Sequence, residues 1–260
     1  MYKPINLSVF PGEREEKLRS IERYNAFDVM FYRANLWTHT HRMLWMLEEL
    51  LPIAQTYMDI DPEKTRILAL VHDDAQIITG DIQAGHKAHM TKEQLGDVDK
   101  QEIAAIEELA RRYPQMVHGY AYKELLMHAK NKDCPEAWLV WYVDKLDSLC
   151  ETLHDIYAGN ISLFRSFFFY VCLIPKTTAK FPGLAEMFSG KKSPLLIFDY
   201  RSEEAYVKAE NFTVFGKPHT RETLIAQSDF GFYDEWKRII LTRGGEEGLE
   251  WLTKQKEFLK

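Results

Sequence analysis

The chain has 260 residues, 46% hydrophobic and 28% charged, enough apolar material for a sizeable core without disulfides. Thirty-three basic residues against 39 acidic ones give a formal net charge of −6. That excludes a protein-wide basic surface for duplex nucleic acid or anionic membrane, though not a local basic pocket.

Nine His, six Trp and thirteen Tyr are unusual for an acidic chain of this size and call for a core or a site to hold them. The three cysteines, Cys134, Cys150 and Cys172, form no C-x-x-C pair. We therefore expect no disulfide framework, no thiolate zinc site and a reducing, cytoplasmic setting. The first twenty residues carry no apolar signal-peptide region. The longest greasy run, Ile161 to Ile174, is shorter than a membrane span and contains Arg165, so it reads as a buried core helix.

Helical periodicity dominates the chain. Thr38 or Thr40 can cap a helix that carries Met43, Leu44, Met46, Leu47, Leu50 and Leu51 and ends at Pro52. Asp61-Pro62 is an N-cap with Pro at the first helical position. The helix it opens carries Ile67, Leu68, Leu70, Val71, Ile77 and Ile78 and stops at Gly80. Another runs near Lys100 to Arg112, with Ile103, Ile106 and Leu109 inward. Pro135 opens a helix with Trp138, Trp141, Leu146, Leu149 and Leu153, which Gly159 ends. Shorter helices are expected at Ser202–Ala209, Arg221–Gln227, Asp234–Thr242 and Glu246–Lys260. Strand signals are scarce; Phe212–Phe215 (FTVF) supports a small hairpin at most. The fold class is all-α. Residues 1–160 read as one helical core and 161–260 as a helical extension packed on it.

Four residues carry chemistry: His39, the pair His72-Asp73, and Asp144. Each sits inside or at the mouth of an apolar helix rather than on a polar face. An ionised carboxylate among Trp, Val and Leu, as at Asp144, is costly unless it is paired or binds a cation. Neutral imidazoles with carboxylates suit a divalent transition metal with open positions. Taken singly, each also reads as a satisfied core residue, because no compact H-E-x-x-H or cysteine spacing ties them together.

The local motifs add a resemblance. His39-Thr40-His41-Arg42-Met43, His72-Asp73-Asp74-Ala75-Gln76-Ile77-Ile78-Thr79-Gly80-Asp81 and Val143-Asp144-Lys145-Leu146-Asp147 resemble, in order, the H…HD…D signature of the HD-domain metal-dependent phosphohydrolases. They are most similar to the bacterial 5'-deoxynucleotidase branch, with its T-G-D after the HD pair and its A-D-K-L-[DE]. The resemblance covers about residues 20–160. It implies an HD-domain helical bundle, a divalent cation (Mn, Co, Fe, Ni, Zn or Mg) held by His39, His72, Asp73 and Asp144, and hydrolysis of a nucleoside 5'-monophosphate or similar small phosphoester. It makes His39 rather than His41 the ligand. It also makes Arg23 and Arg33, upstream of the first His, the candidates for phosphate binding, and gives Asp81 the sugar hydroxyl. Homodimerisation is a further implication, in keeping with the abundance of aromatics.

One position departs from the branch: Gln76 stands where the family has Glu. An amide can orient water but cannot take its proton at neutral pH. Either Asp81 or another carboxylate takes the base role, or the cation's effect on bound water suffices. The remaining alternative is a chain that binds metal and nucleotide with little or no catalysis. Lys87 and Lys145 are further candidates for phosphate charge, and Trp37 for stacking a base or for the core. His86 and His89 near Asp81 read as solvated loop residues. Asp74 reads as a surface residue or a support, and Asp147 and Glu151 as supports of ligands or the start of an exposed edge. His118, His128, His154 and His219 receive no role.

Overall fold

A computed structural model of the chain describes residues 5–25, 33–157, 163, 166, 169–170, 173–174, 178–187, 212–214 and 217–219. The chain divides into two compact units. The first draws on Met1–Asp28, Arg33–Leu51 and Asp59–Trp141, the second on Val29–Tyr32, Pro52–Met58 and Tyr142–Lys260. Almost everything described is helical.

A 3-10 turn at Leu7–Val9 leads into α1 (Glu13–Ser20). The chain then pairs briefly with itself. Arg23 N–H donates to Ala34 O (2.9 Å), and Leu36 N–H to Ile21 O (3.1 Å). This delivers the chain to α2 (Leu36–Ala54). The helix starts earlier than its two threonines suggest, because the Asn35 side chain accepts from Thr38 N–H at 2.9 Å and takes the capping role. It also runs through Pro52 instead of stopping there. Pro52 sits in the last turn, where its missing N–H costs one hydrogen bond and no helix follows to be kinked.

Asp61 caps α3 (Pro62–Val71) as expected, with Oδ1 accepting from Glu63 N–H (2.9 Å) and Lys64 N–H (3.1 Å). The expected single helix to Gly80 is broken, however. Residues 72–75 form a tight turn with i→i−3 bonds, Asp74 N–H to Val71 O and Gln76 N–H to Asp73 O, both 2.9 Å. A four-residue helix, α4 (Gln76–Thr79), follows. It ends at Gly80 with φ +74° and ψ 170°, a region open essentially to glycine alone. Ile78, expected inward, is exposed.

After α5 (Ala84–Lys87) comes α6 (Lys92–Arg112), opened by a reciprocal Thr91–Gln94 capping box two turns before the expected start. Ile106 and Leu109 are buried as expected, whereas Ile103 is exposed. A two-residue hairpin, β1 (Met116–Val117) and β2 (Tyr120–Ala121), feeds α7 (Tyr122–Asn131), which ends on Lys132 in the left-handed region. Within this first unit α3 packs on α7, α6 on α4 and α7, and α1 on α4. Its core includes Met43, Leu44, Leu47, Ile67, Leu68, Leu70, Leu109 and Leu125, all at most 1% exposed.

The long helix α8 (Pro135–Tyr157) begins where Pro135 predicts. In the second unit Tyr142, Val143, Leu146 and Leu149 on α8 are buried. So are Asp147 and Glu151, which overturns the exposed-edge reading of that face. A short helix α9 (Pro182–Met187) and an antiparallel hairpin of β3 (Phe212–Val214) with β4 (Lys217–His219) complete what is described. The hairpin includes the FTV of the expected FTVF stretch. The four helices expected between Ser202 and Lys260 lie outside the described residues.

Candidate metal centre

Two elements of the first unit bring the first three sequence-predicted ligands together. Residue 39 lies one turn into α2, and residues 72 and 73 occupy the turn that ends α3. The His39 and His72 rings stand 5.5 Å apart, centroid to centroid. Asp73 Oδ2 lies 3.5 Å from His39 Nε2 and 3.3 Å from His72 Nε2. Three donor atoms thus converge in a buried corner: His39 is fully buried and the other two side chains are 7% and 13% exposed.

The supports explain the aim of each group. His72 Nδ1 lies 2.7 Å from Ala69 O. A carbonyl can only accept, so Nδ1 carries the ring proton and Nε2 presents its lone pair inward. That Nε2 is buried and makes no hydrogen bond among the described residues. Gln76 Nε2 donates to Asp73 Oδ1 at 2.5 Å, which leaves Oδ2 facing the two imidazoles. Two imidazole nitrogens and a carboxylate oxygen, one nitrogen buried without a hydrogen bond, are what a divalent transition ion requires and what an apolar core does not. The turn at 72–75 has i→i−3 bonds, so Gln76 meets Asp73 three residues before it. The amide reaches the site through Asp73. His41 points elsewhere: its Nδ1 lies 2.8 Å from Trp37 O, its ring packs 4.3 Å from the Trp37 ring, and burial lowers its pKa.

A cleft opens beside this corner. His72, Asp73, Gln76, Gly80, Ile82, Lys87, Val98, Gln101 and Glu102 are among its lining residues. Among the described residues Lys87, a predicted substrate-binding residue, lines the same cleft as His72 and Asp73. Arg23 is buried, with its guanidinium 5.9 Å from the Tyr24 ring centre. Arg33 donates to Tyr24 O at 3.1 Å and lies 4.0 Å from Glu22. The backbone pairing before α2 brings Arg23 level with Ala34, next to Arg33 in the sequence. Trp37 is 8% exposed and packs with Leu18 and Leu36, with the Arg19 guanidinium 5.2 Å from its ring centre. Asp81 follows Gly80, and its carbonyl accepts from Asn25 at 3.4 Å. Asp144 lies on α8 in the second unit, half-buried, with Lys145 Nζ 2.5 Å from its Oδ2.

The match to known proteins covers this whole region. The model of the YfbR-like 5'-deoxynucleotidase family matches residues 15–168. The chain belongs to that family. No curated protein matches the sequence. Two solved structures are similar in fold. One is a protein of Pyrococcus horikoshii, 22% identical, covering 67% of this chain and 90% of its own, TM-score 0.52. The other is an HD-domain phosphohydrolase of Listeria innocua, 16% identical, covering 75% and 90%, TM-score 0.57. The fold is therefore the all-α HD-domain bundle.

Sequence reasoning missed what holds the turn of this YfbR-like chain. Asp74 is not a surface residue: it is 1% exposed and accepts from Arg14 Nε (2.9 Å), Arg14 Nη2 (2.7 Å) and Tyr122 OH (2.8 Å). Arg14 Nη2 also donates to Leu70 O at 2.7 Å, in the last turn of α3. Arg14 is 2% exposed and stacks on Phe10, its guanidinium carbon 4.2 Å from the ring centre. Burial opposes the charge on Arg14, and the Asp74 carboxylate more than restores it, so its pKa is raised. Burial also pushes the Tyr122 hydroxyl pKa far up, with Asp74 adding to the shift. The signal was absent from the sequence: Arg14 sits in a run of charges, GEREEK, that reads as a solvated face.

Proposed function

We propose that the chain is a divalent-metal-dependent phosphohydrolase that releases phosphate from a nucleoside 5'-monophosphate or a similar small phosphoester. The observation that carries this is the convergence of His39 Nε2, His72 Nε2 and Asp73 Oδ2 beside a cleft that also holds Gln76 and Lys87. The YfbR-like family and the phosphohydrolase from Listeria innocua support it. Asp144 is assigned as the fourth ligand on the resemblance of V-D-K-L-D to the family's last motif. When bound, the cation supplies Lewis acidity toward the phosphate and a more nucleophilic water.

The chain's own residues do the rest. The Ala69 carbonyl fixes the His72 tautomer, and the Gln76 amide holds Asp73. Gln76 Oε1, buried and making no hydrogen bond among the described residues, can accept from a water and orient it without taking its proton. Asp81 is assigned the proton-handling role that an amide cannot fill. Lys87, Arg23 and Arg33 neutralise phosphate charge. For Trp37, burial beside Leu18 and Leu36 supports the core reading of its two.

The test is a phosphate-release screen over nucleoside 5'-monophosphates and other small phosphoesters with each divalent ion. Turnover lost in Asp73→Ala, and lowered about 10²–10⁴-fold in Asp81→Asn, is expected. A folded, metal-loaded chain without turnover on any of them overturns the reading. Pairing of two chains belongs to the same proposal, and sedimentation measures it directly.

A further inference from the structure

A second group of metal-type donors lies apart in the sequence from the HD residues, at the junction of α7 and α8. His128 sits in the last turn of α7, Lys132 reverses the chain at φ 54° and ψ 47°, and Cys134 precedes Pro135 at the start of α8. The reversal folds six residues back on themselves. His128 Nδ1 lies 2.6 Å from Asp133 Oδ1, and one donor atom each from His128, Asp133 and Cys134 lie within 4.8 Å of one another. We propose that His128 Nδ1, an Asp133 carboxylate oxygen and Cys134 Sγ form a second divalent-ion site, with the donor set of a zinc-type transition metal.

The chemistry of the donors selects the ion. One imidazole, one thiolate and one carboxylate are a borderline-soft set that suits Zn or Co and not Mg or Ca, which take all-oxygen sites. Charges balance: the thiol gives its proton to solvent, Asp133 is already an anion, and the two negative charges neutralise a divalent ion. Three protein ligands leave one position for water.

The surrounding structure favours both partners. The α7 C-terminus is the negative end of its helix and favours a cation. Cys134 stands at the start of α8, where its sulfur accepts from the Ala137 backbone N–H, an arrangement that favours thiolate. Opposing this, burial holds the free thiol protonated, and its pKa is raised. An ion that takes the sulfur replaces that proton. Other charges at hand are Glu136, bonded to the Cys134 thiol, Lys64, 3.4 Å from Glu136, Lys132, whose Nζ donates to Lys130 O, and Lys130, paired with Asp99. All three ligand side chains are partly exposed or open to solvent, so an ion can enter. Linear spacing could not show this site: H-x4-D-C matches no paired-cysteine template, and only the left-handed Lys132 closes it.

The test is a Co²⁺ titration of the full chain, read by the near-ultraviolet sulfur-to-cobalt charge-transfer band. Nitrogen and oxygen ligands do not give that band, so the HD centre is silent in it. We expect a saturable band in the wild type that is absent in Cys134→Ser. Half-saturation in His128→Ala should weaken by more than the roughly 10–100-fold that loss of a mere supporting contact costs. Circular dichroism of each variant checks that it is folded. No band in the wild type, a band that survives Cys134→Ser, or a weakening in His128→Ala that stays within about 100-fold overturns the site. None of these outcomes depends on phosphate release.

Discussion

Asp74→Asn is the sharpest test of how the HD turn is held. The change keeps shape and removes the charge that faces a guanidinium 2% exposed. Asp74 Oδ2 accepts from both Arg14 Nε and Tyr122 OH, and Oδ1 accepts from Arg14 Nη2. An asparagine can keep its oxygen at the Oδ2 position and hold two of those bonds. Its NH₂ then meets Nη2, donor against donor. Removing one partner of a buried pair costs about 3–5 kcal/mol, and two surviving hydrogen bonds put this case near the lower end, about 3 kcal/mol. For a chain of this size that is a fall in Tm of roughly 6–12 °C. The assay is urea unfolding, with a lower midpoint at an unchanged slope expected. The triple change Arg14→Met, Asp74→Leu, Tyr122→Phe removes the charge and both its partners together. It should cost much less than the single change, because no buried charge is left alone. An Asp74→Asn protein within about 0.5 kcal/mol of the wild type, the range of an ordinary surface change, would refute the reasoning.

Gly80→Ala meets no atom within 4 Å, yet φ +74° with ψ 170° strains any side chain. Unfolding should show a loss of about 1–3 kcal/mol from the backbone alone. Asp61→Ala removes the cap of α3 and the acceptor of the Tyr120 hydroxyl (2.8 Å), at about 1 kcal/mol each, measured the same way. Desolvation raises the Asp61 pKa, but hydrogen bonds from Tyr120, Lys64 and Glu63 overcome it and the net shift is downward. Stability from this group is therefore full above the ordinary value of 3.8 and lost as pH falls below it. At the other end, burial pushes Tyr113 and Tyr120 up to about 12, with Asp74 adding for the first and Asp61 for the second. Both hydroxyls are neutral in either state below pH 10, so stability holds until then. It is lost between about 10 and 12, where the unfolded chain ionises first. Tyr113→Phe should flatten part of that alkaline slope in unfolding curves taken from pH 9 to 12.

The elements legible in the sequence are those whose signals are local. Asp61-Pro62 and Pro135 announce helix starts because proline at the first turn loses no hydrogen bond. His39, His72-Asp73 and Asp144 stand out because polar side chains interrupt apolar stripes. What escaped has a physical reason in each case. Thr38 has the side chain of a cap, but Asn35 is placed to accept first. The first two turns of α6 carry only Leu95 and Val98 as large apolar residues among charges and a glycine, so the Thr91–Gln94 pair is their clearest mark. The break at 72–75 leaves no trace, because His72-Asp73-Asp74-Ala75 contains neither Gly nor Pro. What breaks the helix is tertiary: Arg14, from sixty residues earlier, engages both the Leu70 carbonyl and the Asp74 carboxylate.

Gln76 is where that turn and the chemistry meet. Its amide donates to Asp73 Oδ1 across 2.5 Å, so in this chain the residue is first a donor that fixes the Asp73 carboxylate. A glutamate in the same place would set two carboxylates against each other with no proton between them. Coulomb repulsion at that range, about 7 kcal/mol at an effective dielectric of 20, would drive them apart or hold a proton in the gap. A divalent cation relieves the repulsion by facing both. Gln76→Glu should therefore lower the melting temperature in chelator and gain more from added Mn²⁺ than the wild type does. A further carboxylate, beside Asp73, would then interact with the ion, and an ion that binds the folded state alone stabilises it. Thermal melts of both proteins with chelator and with excess Mn²⁺ measure the difference. Equal metal-induced shifts would show that Gln76 and Asp73 do not share the ion's field, and would remove the amide from the centre's design.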